Sequence, residues 1–80
     1  MLWYVYILEM RNWKYYIWST NNVERRFIEH QRGKVASTKY NKPLQLLYYK
    51  TFTTREEAHE KELWLKKQKS KKTIEDFMAL

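Results

Sequence analysis

Residues 3–8 form an unbroken run of aromatic and branched side chains, Trp-Tyr-Val-Tyr-Ile-Leu, and a second run of the same character, Tyr15 to Thr20, follows shortly after it. Such side chains favour the pleated strand, so both runs read as strands. The polar stretch Arg11-Asn12 between them points to a hairpin. Neither Asn-Gly nor Asp-Gly is present, which leaves the turn type open.

Past the hairpin, Asn21 or Asn22 can cap a helix with acidic Glu24 in its first turn. That helix runs to about Arg32, and Gly33 is a natural residue to follow its end. Lys34 to Lys42 is a basic loop closed by the only proline, Pro43, and Leu44 to Phe52 is a third strand. Thr54-Arg55-Glu56-Glu57 has capping-box spacing and opens a second helix. Ser70 caps a short last helix through Met78. The order strand, strand, helix, strand, helix, helix predicts an α/β (α+β) fold, a small three-stranded antiparallel sheet flanked by helices. Eighty residues make a single domain, 1–80. A chain of this size buries only about 60% of its unfolded surface. An aromatic content of 18% offsets so thin a core, because each ring brings a large area into it.

Sixteen Lys and Arg against nine Asp and Glu give a net charge of +7. Charge of that size on so small a surface keeps a protein soluble, and with the aromatic content it points to a polyanionic partner, nucleic acid above all. An anionic membrane is disfavoured, because no long basic amphipathic helix with a wide apolar face is visible. The absence of cysteine rules out disulfides, thiolate nucleophiles and cysteine zinc sites. A cytoplasmic protein is expected, since small secreted domains often need disulfides. The longest apolar run, Leu2 to Leu8, falls far short of the roughly 20 residues of a membrane span. It also lacks the flanks of a signal peptide.

Strand side chains alternate between faces, so Tyr4 and Tyr6 share one face, as do Tyr16 and Trp18. If the hairpin aligns those faces, two phenols stand together; otherwise they are core aromatics with hydroxyls at the rim. On the first helix Val23 and Phe27 make the apolar stripe, and Arg26 and His30, four apart, are neighbours at its edge. The plain alternative for these two is a snorkelling arginine and a partly buried histidine. On the second helix Ala58, Glu62 and Leu65 fall on one stripe. A carboxylate there needs a cation, whether a metal ion, Arg26 or one of the lysines. Glu56, Glu57 and Glu60 read as a solvated face, and His59 as surface without a partner. Lys66, Lys67, Lys69, Lys71 and Lys72, with Lys34, Lys39 and Lys42, make a phosphate track or a solvated end.

Tyr4-Val5-Tyr6 followed by Tyr16-Ile17-Trp18, with Arg26 ten residues after Tyr16 and His30 four further on, resembles the GIY-YIG nuclease superfamily. Gly33-Lys34-Val35, Ser37-Thr38-Lys39, Pro43-Leu44, Leu47-Tyr48-Tyr49, Arg55-Glu56-Glu57-Ala58 and Lys66-Lys67 extend the resemblance to its short stand-alone bacterial members. The resemblance implies a hydrolytic nuclease using one divalent ion, Mg2+ or Mn2+, on DNA, with RNA left open, and a link to DNA repair or recombination. It implies that Tyr6 and Tyr16 are the motif tyrosines, one of them the general base. Arg26 would hold the scissile phosphate, His30 would assist proton transfer or phosphate contact, and Glu62 would be the metal ligand. One or two carboxylates often suffice for magnesium, which keeps water and phosphate in its shell.

The chain departs from the pattern at Trp18, where the second tripeptide has glycine, and at Asn41, where the subgroup usually has arginine. The usual hairpin glycine is also missing, with Trp13 in its region. A single glycine is present, against the roughly five or six that an average usage of about 7% would give. The expected function is a DNA endonuclease with little sequence preference. The alternatives are a nucleic-acid-binding module whose site Trp18 fills and a basic protein-interaction domain.

Overall fold

The computed structural model describes residues 1–68 and 70–79, so Lys69 of the basic cluster lies outside the described residues. Its elements are β1 (Trp3–Met10), β2 (Tyr15–Thr20), α1 (Val23–Gln31), β3 (Pro43–Phe52), α2 (Arg55–Lys66) and α3 (Lys71–Met78). A 3-10 turn over Ala36–Thr38 interrupts the basic loop. The strands form one antiparallel sheet in the order β2-β1-β3. The expected fold and element order are therefore observed.

The central place of β1 explains its composition. Val5, Ile7 and Ile17 pack with Ala58, Leu65, Ile74 and Phe77 on the face covered by α2 and α3. Tyr6, Leu8 and Met10 pack with Tyr16, Val23, Phe27 and Leu46 on the face covered by α1. With both faces buried, β1 has no polar alternation to show, and Val5, Tyr6, Ile7 and Leu8 are all fully buried. β1 runs past Leu8 to Met10, and β3 begins at Pro43, which pairs opposite Met10. Proline is tolerated there as the first residue of an edge strand.

The hairpin turn left open by the sequence is a three-residue loop. Trp13 N–H donates to the Met10 carbonyl at 2.9 Å, Met10 N–H donates to the Lys14 carbonyl at 2.9 Å, and Trp13 has φ 66°. This is a type I turn followed by a left-handed residue, a position that suits glycine and that tryptophan occupies here.

α1 starts as expected at Asn22, whose side chain accepts from the Arg25 N–H. It ends in a Schellman motif at Gly33 (φ 72°), with Gly33 N–H on the His30 carbonyl and Lys34 N–H on that of Glu29. α2 starts at Thr54, whose hydroxyl accepts from the Glu57 N–H. The capping box is only half formed, because the Glu57 carboxylate takes the Thr53 and Thr54 hydroxyls rather than reaching the cap backbone.

Candidate active site

The hairpin register puts Tyr6 opposite Trp18 and Leu8 opposite Tyr16, so the expected phenols share the α1 face of the sheet. α1 lies over that face and turns His30 into it. His30 is not partly buried, as its helix position suggested, but fully so. Its Nε2 is 2.9 Å from Tyr6 Oη and its Nδ1 is 2.8 Å from Thr38 Oγ1. The Tyr16 ring stands edge-on to the imidazole at a centroid distance of 5.0 Å, and Tyr16 Oη is 3.1 Å from Ser37 Oγ. The 3-10 turn thus closes the cluster from above, delivering Ser37 to one tyrosine and Thr38 to the histidine.

Charge acts on this cluster from both sides. Burial pushes the Tyr6 phenol well above its ordinary range; Tyr16 and Glu62 push it further up, while Arg26 pulls it down. Both an arginine of α1 and a glutamate of α2 therefore lie within electrostatic reach of one phenol. Burial, with Arg26 nearby, lowers His30 to about 4, so the imidazole is neutral at pH 7. Arg26 is partly exposed and pairs with Glu29 at 3.2 Å.

Glu62 belongs to the other face. It is buried on the stripe with Ala58 and Leu65, as the helical spacing required. Of the cations left open for it, the partner is a lysine. Lys66 Nζ lies 2.9 Å from Oε2, and Ser19 Oγ donates to Oε1 at 2.7 Å. Arg26 does not pair with it, because the sheet separates their helices. His59 is not partnerless either: its Nδ1 is 3.8 Å from Glu62 Oε1.

β2 is an edge strand, and Trp18 stands on it with Lys66, the partner of Glu62, against its ring. Its ring stacks on Tyr16 at 6.0 Å with an interplanar angle of 21°, and Lys66 Nζ sits 3.3 Å from its centroid. One open groove runs past Trp18, Ser19 and Arg26, and another past Tyr16, Trp18 and Lys66. Trp18 stands directly across from Tyr6 on β1, a position where Cβ atoms are about 5 Å apart, and its ring lies against Tyr16.

The basic residues are less uniform than a track. Lys34, Lys39, Lys67, Lys71 and Lys72 are exposed, but Lys71 donates to the Trp13 carbonyl at 2.9 Å and Lys72 faces Asp76 at 3.4 Å. Lys42 is half-buried and packs its stem near Gly33. Asn41 is half-buried at the entry to β3. Sequence reasoning did not single out Ser19, Ser37 or Thr38 for the site. Ser37 and Thr38 entered only as part of a stretch resembling the family, and Ser19 only as a small hydroxyl in register with Ile17.

Known proteins resemble this chain over nearly its whole length. Residues 2–75 match the model of the GIY-YIG catalytic domain. A UPF0213 protein of Streptococcus pneumoniae is 38% identical over 77 residues, 95% of this chain and 77% of its own. One from Cupriavidus pinatubonensis is 40% identical over 73 residues, covering 90% of this chain and 81% of its own. The solution structure of a UPF0213 protein from Bacillus halodurans superposes with a TM-score of 0.63 at 32% identity, over 99% of this chain and 84% of that one.

Proposed function

The chain belongs to the GIY-YIG catalytic-domain family, alongside the short bacterial UPF0213 proteins, and on that premise we propose that it is a metal-dependent endonuclease hydrolysing DNA phosphodiester bonds with little sequence preference. The observation that carries the reading is the buried Tyr6–His30 pair, with Arg26 acting on the phenol from one side and Glu62 from the other.

In this reading Arg26, at the groove beside Trp18 and Ser19, binds the scissile phosphate. Its guanidinium presents paired donors to phosphate oxygens and offsets the charge that builds in the transition state. Tyr6 passes its proton to His30 Nε2, and the resulting phenolate takes a proton from the attacking water. Burial keeps both groups neutral at rest, so the step depends on cationic charge arriving beside the phenol. Glu62 and Ser19 offer a carboxylate and a hydroxyl, oxygen donors suited to a hard divalent cation that keeps water and phosphate in the rest of its shell. An ion bound there supplies Lewis acidity and counter-charge. Lys66 now neutralises that carboxylate, but its side chain is 33% exposed on a flexible stem and can withdraw. The Lys34, Lys39, Lys67, Lys71 and Lys72 ammonium groups attract the phosphate backbone.

A second reading is favoured by the Trp18 ring against Tyr16 and Lys66 on Glu62: a nucleic-acid-binding module in which cleavage is blocked. Plasmid nicking with magnesium, manganese and EDTA separates the two. A nuclease gives metal-dependent nicking that Glu62→Gln and Arg26→Ala abolish and Trp18→Gly raises. Salt-dependent oligonucleotide binding without nicking, by the chain and by Trp18→Gly alike, would establish the module and sink the nuclease. RNA substrates in the same assay test the choice of DNA.

A further inference from the structure

Tyr6 is fully buried, so the hydrogen on its hydroxyl needs an acceptor within the protein. The side-chain partner at hand is His30 Nε2, 2.9 Å away. Arg26, beside the same phenol, has only donors and cannot take that hydrogen. Nε2 must therefore be bare. A neutral imidazole carries one N–H, which then sits on Nδ1 and points at Thr38 Oγ1, 2.8 Å away. Thr38 is consistent with accepting it, because its own hydroxyl hydrogen is directed to the Val35 carbonyl at 3.4 Å. Proton accounting thus gives one direction along the chain: Tyr6 to His30, His30 to Thr38, Thr38 to Val35.

We propose that Thr38 is a positioning residue that locks His30 in the Nδ1–H tautomer, leaving Nε2 free to take the proton of Tyr6. In that transfer the O–H bond of Tyr6 breaks, its electron pair stays on Oη, and the proton bonds to Nε2. The imidazolium that forms still donates from Nδ1 to Thr38, so the geometry needs no change during the step. The 3-10 turn Ala36–Thr38 holds the threonine in place through the Thr38 N–H bond to the Val35 carbonyl at 3.1 Å. The catalytic consequence rests on the nuclease reading above; the tautomer does not.

Two-bond ¹H–¹⁵N NMR spectra of the whole chain distinguish the two histidine tautomers. The unmodified chain is expected to show His30 with the proton on Nδ1. Thr38→Val leaves the Nδ1 hydrogen without its acceptor and should raise the Nε2–H population at the expense of the Tyr6 bond, whereas Thr38→Ser should keep Nδ1–H. In the nicking assay Thr38→Val should lose about 10- to 100-fold in rate, the scale at which partners that orient a working histidine act, and Thr38→Ser should restore it. An Nε2–H tautomer in the unmodified chain, which needs no variant to fold, would overturn the proposal. So would a folded Thr38→Val that keeps both the Nδ1–H tautomer and its rate. Absence of nicking in every variant would sink the nuclease reading and leave the tautomer result to decide this one.

Discussion

Trp13 and Trp18 are two tryptophans at positions where the local backbone or the family motif suits glycine, and they act differently. Trp13 is 64% exposed and holds a left-handed backbone, so its ring contributes little packing while its Cβ strains the turn. A non-glycine residue there costs about 1–2 kcal/mol, part of which glycine returns through the entropy of the unfolded chain. Trp13→Gly should therefore stabilise the protein by about 1 kcal/mol net, visible as a higher urea midpoint; a lower midpoint would mean that the ring packs more than its exposure indicates. His30 sets the response to acid. Its folded pKa of about 4 lies below the ordinary histidine value of 6.5, so the unfolded chain binds the proton first. Stability is complete above about 6.5 and falls as the pH drops towards 4. Urea midpoints measured between pH 7 and 5, above the main carboxylate range, should fall in the unmodified chain and fall less in His30→Gln. Equal slopes would remove His30 as the cause.

At the scale of elements, α2 does two things with one turn of helix. Glu62 and Lys66 are four apart, the spacing that places side chains side by side. The helix therefore carries both the carboxylate proposed for the metal and the cation that satisfies it, with Trp18 of β2 holding the ammonium from outside. Lys66→Met keeps the stem and removes the charge. It should tighten Mn2+ binding several-fold, measured as the loss of the free-ion electron paramagnetic resonance signal. Unchanged affinity would mean that Lys66 does not compete for Glu62. β2 matters because it is an edge strand. At its edge the Trp18 ring, stacked on Tyr16, meets Lys66, the partner of Glu62.

The whole molecule carries +7 on 80 residues, and among the described residues no helix is long and apolar enough to cross a membrane. If the exposed lysines meet a nucleic-acid backbone, affinity must fall with salt in proportion to the phosphates they neutralise. Removing Lys67, Lys71 and Lys72 together by alanine should flatten the slope of log K against log salt by about 0.9 for each duplex phosphate left without its lysine. An unchanged slope would place the nucleic acid elsewhere on the surface. Because Lys71 also ties α3 to the hairpin through the Trp13 carbonyl, the variant's unfolding midpoint is the necessary companion measurement.

Much of this was legible in the chain itself, because it rests on local chemistry. Strand runs, the Asn22 and Thr54 caps, Gly33 past a helix end and the stripe holding Glu62 all depend on neighbours within a few residues, and each was found where periodicity and capping put it. Alternation also put Trp18 beside Tyr16 rather than across the sheet. What pairs with what was a different matter. Arg26 and the lysines all stood open to Glu62; helical spacing favours Glu29 for Arg26 and Lys66 for Glu62, and the sheet between α1 and α2 keeps Arg26 from Glu62. Thr38 sits eight residues beyond His30 past a helix end, where no periodicity links them. It meets the histidine only because the Schellman turn at Gly33 and the 3-10 turn fold the loop back over the sheet. A hydrogen bond is decided within about 3 Å, and distances of that order between elements are set by packing, which the sequence encodes only collectively.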